Sequence, residues 1–301
     1  MCDKSDVPGA TDSRVALATC SYFPEGDEDD AGLPAAIGGE TVFAIWDDPA
    51  VDWSTFDLVV VRSTWDYQGR REEFLAWARG LGDRLVNPVS VLEWNTDKRY
   101  LRELADAGLP VVPTTLVAPG EAFAAPGGEY VVKPTVSAGS RDTARFRDGD
   151  GDGDADRAAA LVAAIHASGR TAMVQPYVAS VDARGETALL FFDGVFSHAI
   201  HKGPLLKPGA APTSEVFAAE TIEPRAATDA ERAVAARVLE HAVDRLGTEP
   251  PAYARIDLVE DAAGAPLLLE LELAEPSLFF MGDAGRVSRF GAAIRRRLPE
   301  R

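Results

Sequence analysis

The 301-residue chain carries 48 acidic against 30 basic side chains, a formal charge of −18, and is 46% apolar. That length suits about two domains with real cores, and a charged fraction of 26% excludes wholesale disorder. So acidic a chain is a poor partner for nucleic acid or an anionic membrane, because both reward clustered Lys and Arg. An anionic small ligand stays compatible where a few basic residues converge. The two cysteines, Cys2 and Cys20, offer neither a disulfide framework nor zinc spacing. The N-terminus lacks the basic-then-apolar plan of a signal peptide, and no apolar run approaches the roughly 20 residues of a membrane span. A folded, cytoplasmic protein is expected.

Residues 1–13 are polar and read as a loose leader. Arg14–Thr19 is a short apolar run consistent with a buried strand, while 25–40 is acidic and Gly-rich and makes a weak helix at best. Asp57-Leu-Val-Val-Val-Arg62 is the clearest parallel-sheet strand. It runs into Ser63-Thr-Trp-Asp-Tyr67, and a helix follows from Arg71 to Arg79. Strand, loop and helix in this order suggest an open α/β unit, whose ligands lie beyond the carboxyl ends of the strands. Arg62 and the loop to Tyr67 are therefore candidate substrate contacts, with domain-interface packing of Trp65 and Tyr67 as the alternative.

Asn95-Thr96 can cap a helix through about Ala107, stopped by Gly108 and Pro110. Glu129–Pro134, Thr171–Gln175 and Glu186–Phe192 read as successive strands, and Asp193-Gly194 as a two-residue hairpin turn into Val195–Lys202. A helix from Asp229 to Leu246, strands 252–260 and 266–274, and a basic C-terminal helix complete an α/β pattern. Asp148–Asp156 alternates Asp and Gly like a calcium loop, but Ala159 stands where a bidentate Glu is required. A solvated surface loop is the better reading there.

The most informative segment joins Tyr253-Ala-Arg-Ile-Asp257 to Leu269-Glu-Leu-Glu272. Alternation places Arg255 and Asp257 on one strand face, and Glu270 and Glu272 on one face of the next. If Glu260 closes the hairpin against Leu267, Asp257 lies opposite Glu270 and Arg255 opposite Glu272. Burying three carboxylates without a counterion costs several kcal/mol each, on the order of the ionic desolvation penalty. All-oxygen ligands suit Mg²⁺ or Mn²⁺; a ladder of surface charge pairs has the same spacing. Lys133 ends its strand, and the small, hydroxyl-rich loop from Thr135 to Thr143 follows, with Ser137 and Ser140 in it. Its N–H groups suit phosphate oxygens, with Lys133 or Arg141 supplying charge; an ordinary hairpin loop is the plain alternative. Lys98 at a helix opening opposes the helix dipole. In the Asp193-Gly194 hairpin, Phe192 opposite Val195 puts Glu186 against His201, and His198 and Lys202 together on the other face, unless a bulge intervenes. His198 or His201 as general base, and His198 as a structural histidine, both fit this pattern.

Asp97-Lys98, Tyr130-Val-Val-Lys133-Pro134, Met173-Val-Gln-Pro-Tyr-Val178, Gly185-Glu186, Ala254-Arg-Ile-Asp257 and Leu269-Glu-Leu-Glu272 occur in this order. Together they resemble the ATP-grasp superfamily of carboxylate-activating ligases, whose fold is like that of glutathione synthetase and D-alanine–D-alanine ligase. Arg62-Ser-Thr-Trp-Asp-Tyr67, Trp94-Asn-Thr-Asp-Lys98 and Glu272-Leu-Ala-Glu-Pro-Ser277 look like the branch that contains the cycloserine-forming cyclo-ligase. The resemblance implies an N-terminal substrate domain (14–94), a small ATP-grasp subdomain with a lid loop (95–180) and a C-terminal subdomain with a metal site (181–301). It also implies roles. Lys98 and Lys133 would contact the ATP phosphates, and Ser137 and Ser140 belong to the lid. Gln175, Pro176, Tyr177 and Val178 would form the adenine hinge, with Glu186 near the ribose or adenine. Asp257, Glu270 and Glu272 would hold two Mg²⁺ ions. The family commonly has Asn at the third of these positions, so Glu272 departs from it, in a direction that favours tighter metal binding or Mn²⁺. Arg255 would steady the phosphoryl group in transit, with Lys202 and Arg62 as further catalytic candidates.

The implied chemistry is phosphorylation of a small amino-acid-like carboxylate by ATP, then attack by an amine. In the cyclo-ligase branch the amine belongs to the same molecule, as in O-ureido-D-serine; in an amino-acid ligase it comes from a second substrate. A homodimer is expected from this kinship. A non-catalytic nucleotide-binding regulator is the competing class, against which the intact Lys, Arg and carboxylate set speaks. A Rossmann oxidoreductase is disfavoured, because no G-x-G-x-x-G follows the first strand.

Overall fold

The computed structural model describes residues 12–148, 154–207, 209–211 and 221–300. The chain opens with β1 (Arg14–Thr19), α1 (Leu33–Ile37), β2 (Glu40–Ile45) and β3 (Leu58–Val61). Helix α2 (Arg71–Leu81), β4 (Leu85–Val86), α3 (Val89–Asn95) and α4 (Tyr100–Asp106) follow. The first sheet is parallel throughout, in the order β2-β1-β3-β4. Its inner strands show why: all four residues of β3 and five of the six in β1 are buried, as a strand covered on both faces requires. Helix α2 buries Phe74, Leu75, Ala78 and Leu81, a single stripe at helical spacing.

Next come β5 (Thr115–Val117), β6 (Glu129–Pro134), β7 (Ala144–Arg147), α5 (Asp154–Ala167) and β8 (Ala172–Pro176). They build a small antiparallel sheet, β5-β8-β6-β7, with α5 on one face. Its core is its own: Tyr130, Val132, Phe146, Leu161, Ile165 and Val174 pack together. The last part holds α6 (Ser180–Arg184), β9 (Glu186–Phe192), β10 (Val195–Lys202), β11 (Ile222–Arg225) and α7 (Asp229–Leu246). It ends with β12 (Tyr253–Glu260), β13 (Pro266–Glu272) and α8 (Ala284–Arg295). Its antiparallel sheet, β11-β10-β9-β12-β13, shares one continuous core with the first sheet, from Val59 and Phe74 to Leu189 and Ile256. Helix α7 starts on a reciprocal capping box between Thr228 and Glu231 and stops at Gly247 in the left-handed region.

Several expectations need correction. No helix begins at Asn95: this residue ends α3, and the next helix starts at Tyr100. The Asn95 side chain caps nothing, because it bonds the backbone of β13, donating to Leu271 O at 2.8 Å and accepting from Leu273 N at 2.6 Å. The β9–β10 hairpin begins with Phe192 opposite Val195, but a bulge between Phe196 and His198 shifts the register by one. Lys202, not His201, therefore faces Glu186. The small elements β2, β4, β5, β7 and β11, together with α3 and α5, carry no expectation. Most are short, and α5 is an Ala-rich run whose signal is propensity rather than pattern. Most of the leader, and 149–153 of the calcium-like stretch, lie outside the described residues. Asp154, at its far end, starts α5 and accepts from Arg147 N at 2.9 Å.

Candidate active site

A cavity of about 380 Å³ opens between β6 and β8 of the small sheet and β12 and β13 of the large one, under the loop that follows β6. Its chemistry is set by strand register. Arg255 pairs with Glu272 and Asp257 with Glu270, as expected, but by a different route. Glu260 pairs with Pro266 rather than Leu267, and an irregularity between Asp257 and Leu258 restores the register ahead of the acids. Arg255 reaches its own neighbour two residues on, with Nε 2.9 Å from Asp257 Oδ1 and Nη2 3.1 Å from Oδ2. Nη2 also bonds Glu272, and Nη1 donates to Ser277 O at 3.2 Å. The Phe279 ring lies 5.4 Å from the guanidinium carbon. Lys202 Nζ stands 3.2 Å from both Glu186 Oε2 and Asp257 Oδ2. The bulge in β10 is what brings it there. Gly185 permits the approach: a Cβ at that position would collide with the Lys202 carbonyl oxygen.

Lys98 Nζ donates to Ser137 O at 2.7 Å and lies 3.1 Å from Glu270 Oε1, so it ties the loop to the acidic strand. Its conflict with a helix dipole disappears, since it precedes α4 and its N–H bonds Thr135 O at 2.8 Å. Burial alone would lower the Lys98 pKa, but Glu270 and Glu272 outweigh it and hold the amine charged. For Lys133 burial wins and the pKa falls, with Lys98 and Lys202 pushing the same way. Burial raises the Glu272 carboxyl to about 8, against the pull of Arg255 and with the push of Glu270 and Asp257. Asp257 goes the other way: Arg255 and Lys202 overcome its burial and lower its pKa.

Part of the cavity wall is apolar, formed by Val131, Val178, Val181, Val259 and Leu269, a surface suited to a flat apolar group. Gln175, Pro176 and Tyr177 edge it. Tyr177 is held by a bond from its hydroxyl to Asp182 Oδ1 at 2.6 Å and by the Arg145 guanidinium, 3.4 Å from its ring centre. Ser137 and Ser140 of the loop face the cavity, and Ser140 and Asp142 take left-handed backbone, unusual for non-glycine residues. Gln68 Oε1 accepts from Ala138 N at 3.3 Å and links this loop to the segment between β3 and α2.

Several expected site residues do not line the cavity. Arg62 is 1% exposed and lies off the cavity wall. It is bonded twice to Asp30 at 3.0 Å, between the rings of Tyr253 and Phe290, so it belongs to the core. His198 bonds Leu278 O and Ser197 Oγ, each at 3.0 Å, and burial lowers its pKa to about 4; His201 bonds Arg184 O. Neither histidine lines the cavity. Asp257, 2% exposed, lies behind Arg255 and Lys202 rather than on the wall. Arg141 is exposed and off the wall, whereas Lys133 lines it. Sequence reasoning gave no role to Glu275 and Phe279, although both line the cavity. The run Glu272-Leu-Ala-Glu-Pro-Ser277 held the signal for Glu275, an acid just past an acidic strand.

The donor chemistry suits a hard divalent ion, since only carboxylate oxygens are offered. The expected converged cage is absent: among the described residues, no three His, Cys, Asp or Glu side chains gather closely enough to hold a metal. The reason is charge pairing, because Lys98, Arg255 and Lys202 hold the acids that a metal would need.

A two-sheet clamp with this lysine, arginine and carboxylate set is that of an ATP-grasp ligase. The fold agrees: an ATP-grasp RimK domain protein from Sphaerobacter thermophilus superposes with a TM-score of 0.64 at 19% identity, over 93% of this chain and 99% of that one. The family described as the N-terminal domain of D-cycloserine synthetase DcsG matches residues 15–87. The cycloserine biosynthesis protein DcsG of Streptomyces lavendulae is 43% identical over 266 residues, 84% of this chain and 87% of the relative. The crystal structure of D-cycloserine synthetase DcsG matches with a TM-score of 0.83 and 39% identity, covering 95% of this chain and all of that one. The chain belongs to the cycloserine synthetase family of ATP-grasp ligases and is an ATP-dependent carbon–nitrogen ligase. No helix among its described residues is long and apolar enough to cross a membrane.

Proposed function

We propose that this ligase closes a ring within one small amino-acid-like substrate of the O-ureido-D-serine type, using ATP and two Mg²⁺ ions in the cytoplasm. The carboxylate oxygen attacks the γ-phosphorus, the bond to the β–γ bridging oxygen breaks and ADP leaves. A nitrogen of the same molecule then attacks the acyl carbon, phosphate departs, and the nitrogen's proton goes to phosphate or water. In this reading the apolar part of the wall around Val131 and Leu269 takes the adenine, edged by Gln175 to Val178, with Glu186 toward the ribose. Lys98, Lys133, Ser137 and Ser140 hold phosphate oxygens, and Arg255 and Lys202 neutralise the phosphoryl group in transit. When bound, Mg²⁺ would supply further neutralisation of the phosphates, and Glu270, Glu272 and Asp257 are the residues that would hold it. The boundaries 14–94, 95–180 and 181–301 go with this division of labour.

The observation that carries the reading is the coexistence, in one cavity of about 380 Å³, of apolar side chains and a cluster of paired cations and acids. ADP release from Mg-ATP, with products identified by mass spectrometry, tests it on O-ureido-D-serine and on pairs of amino acids. Release with one substrate and a cyclic product is expected. A strict need for two substrates would make it an intermolecular amide ligase.

A further inference from the structure

Three of the carboxylates on the cavity wall have a cationic partner: Glu186 has Lys202, Glu270 has Lys98 and Glu272 has Arg255. Glu275 differs. It is 8% exposed and on the same wall, yet among the described residues no cationic side chain stands within ion-pair distance of it. Its surroundings come from the loop after β3. Tyr67 donates its hydroxyl proton to Glu275 Oε1 at 2.7 Å, and Trp65 Nε1 donates to the Glu275 carbonyl at 2.9 Å. Tyr67 is itself 2% exposed and stacked on Phe74 with ring centres 4.8 Å apart, so this carboxylate is held in place from below.

A buried carboxylate with one neutral donor and no paired cation is costly to keep charged: burial raises the Glu275 pKa against the pull of the Tyr67 hydrogen bond and of Lys98, so an arriving cation would favour its charged form. Resting on the function proposed above, we propose that Glu275 is the receptor for the ammonium group of the amino-acid substrate, with Trp65 and Tyr67 holding it in position. An ammonium carries three donors and a compact charge, which suits a single carboxylate with one oxygen already fixed. A metal ion suits it less, because Tyr67 and Trp65 present donors at the place where a metal needs further acceptors. The site lies where Trp65 borders the cavity and Gln68 bonds Ala138 of the loop over it, on the side of the segment between β3 and α2.

The test pairs a residue change with a ligand change. Glu275→Gln keeps the shape and the Tyr67 bond but removes the charge. KM for the amino-acid substrate should rise about 10- to 100-fold, the effect of losing a charge-assisted hydrogen bond, with a smaller change in kcat. The rise in melting temperature caused by Mg-ATP should persist and shows that the variant is folded. An analogue lacking only the amino group should be a much poorer substrate of the unaltered enzyme, and Glu275→Gln should erase most of that preference. Tyr67→Phe should raise the same KM only a few-fold, as expected for one neutral hydrogen bond. A Gln variant that keeps the full preference for the amino group overturns this assignment alone. An unaltered enzyme that releases ADP with no amino acid overturns the proposed function and this assignment together.

Discussion

Arg62 and Arg255 are both buried arginines gripped by an aspartate, yet they serve different ends. Arg62 meets one acid, Asp30, in a closed bidentate pair within the core. Arg255 is shared among Asp257, Glu272 and the Ser277 carbonyl, and one side of it opens on the cavity. Burial alone would lower the pKa of each, and in each the neighbouring acids win and raise it. Burial and a shifted pKa therefore do not by themselves mark a reactive group. Surplus acids and access to the cavity are what separate Arg255 from Arg62.

Disturbing each region separately sharpens that contrast. Glu270→Gln should cut ligase turnover on the order of 100- to 1000-fold, the usual loss when one charge-stabilising group is removed, with an unchanged circular dichroism spectrum. Retained turnover would remove Glu270 from the reaction. Asp30→Ala should do the reverse. It strands Arg62 and should destabilise the fold by about 3–5 kcal/mol in denaturant titrations, with kcat near normal wherever the protein is still folded. Asn95→Ala leaves Leu271 O and Leu273 N unpaired, and about 2 kcal/mol of lost stability is expected, with slower turnover because β13 carries Glu270 and Glu272.

His198 gives a pH signature. Its folded pKa of about 4 lies below the ordinary 6.5, so the unfolded chain takes up a proton first as the pH falls. Its contribution is fully present above about pH 6.5 and is lost as the pH drops through 4. His198→Gln should flatten the melting-temperature profile across that window. Thr228→Ala should have the smallest effect, about 1 kcal/mol, through loss of the α7 capping box and with no effect on turnover.

Much of this was legible because local patterns agree with the fold. The α7 helix follows from Ala, Val and Leu at helical spacing between Asp229 and Leu246, and the acid pairing on β12 and β13 from simple alternation. What stayed hidden involves backbone irregularity or distant partners. The bulge before His198 moves Lys202 onto Glu186, and nothing in Val195–Lys202 announces it. Arg62 reads as a substrate contact because it ends a strand; only the chain fold brings Asp30, 32 residues earlier, against it. Asn95 reads as a cap by residue type, whereas its partners lie more than 170 residues away.

The outer edge of β13 is closed along most of its length. Leu268 exchanges backbone bonds with Pro110 and Val112, Tyr100 and Asn95 take up Leu271, and Asn95 and Asn87 take up Leu273. Strand addition from another polypeptide needs an unpaired ladder, and this end of the five-stranded sheet offers almost none. A second copy that added a strand to this five-stranded sheet would do so at the β11 end, and the strand that carries Glu270 and Glu272 is shielded from cross-chain pairing.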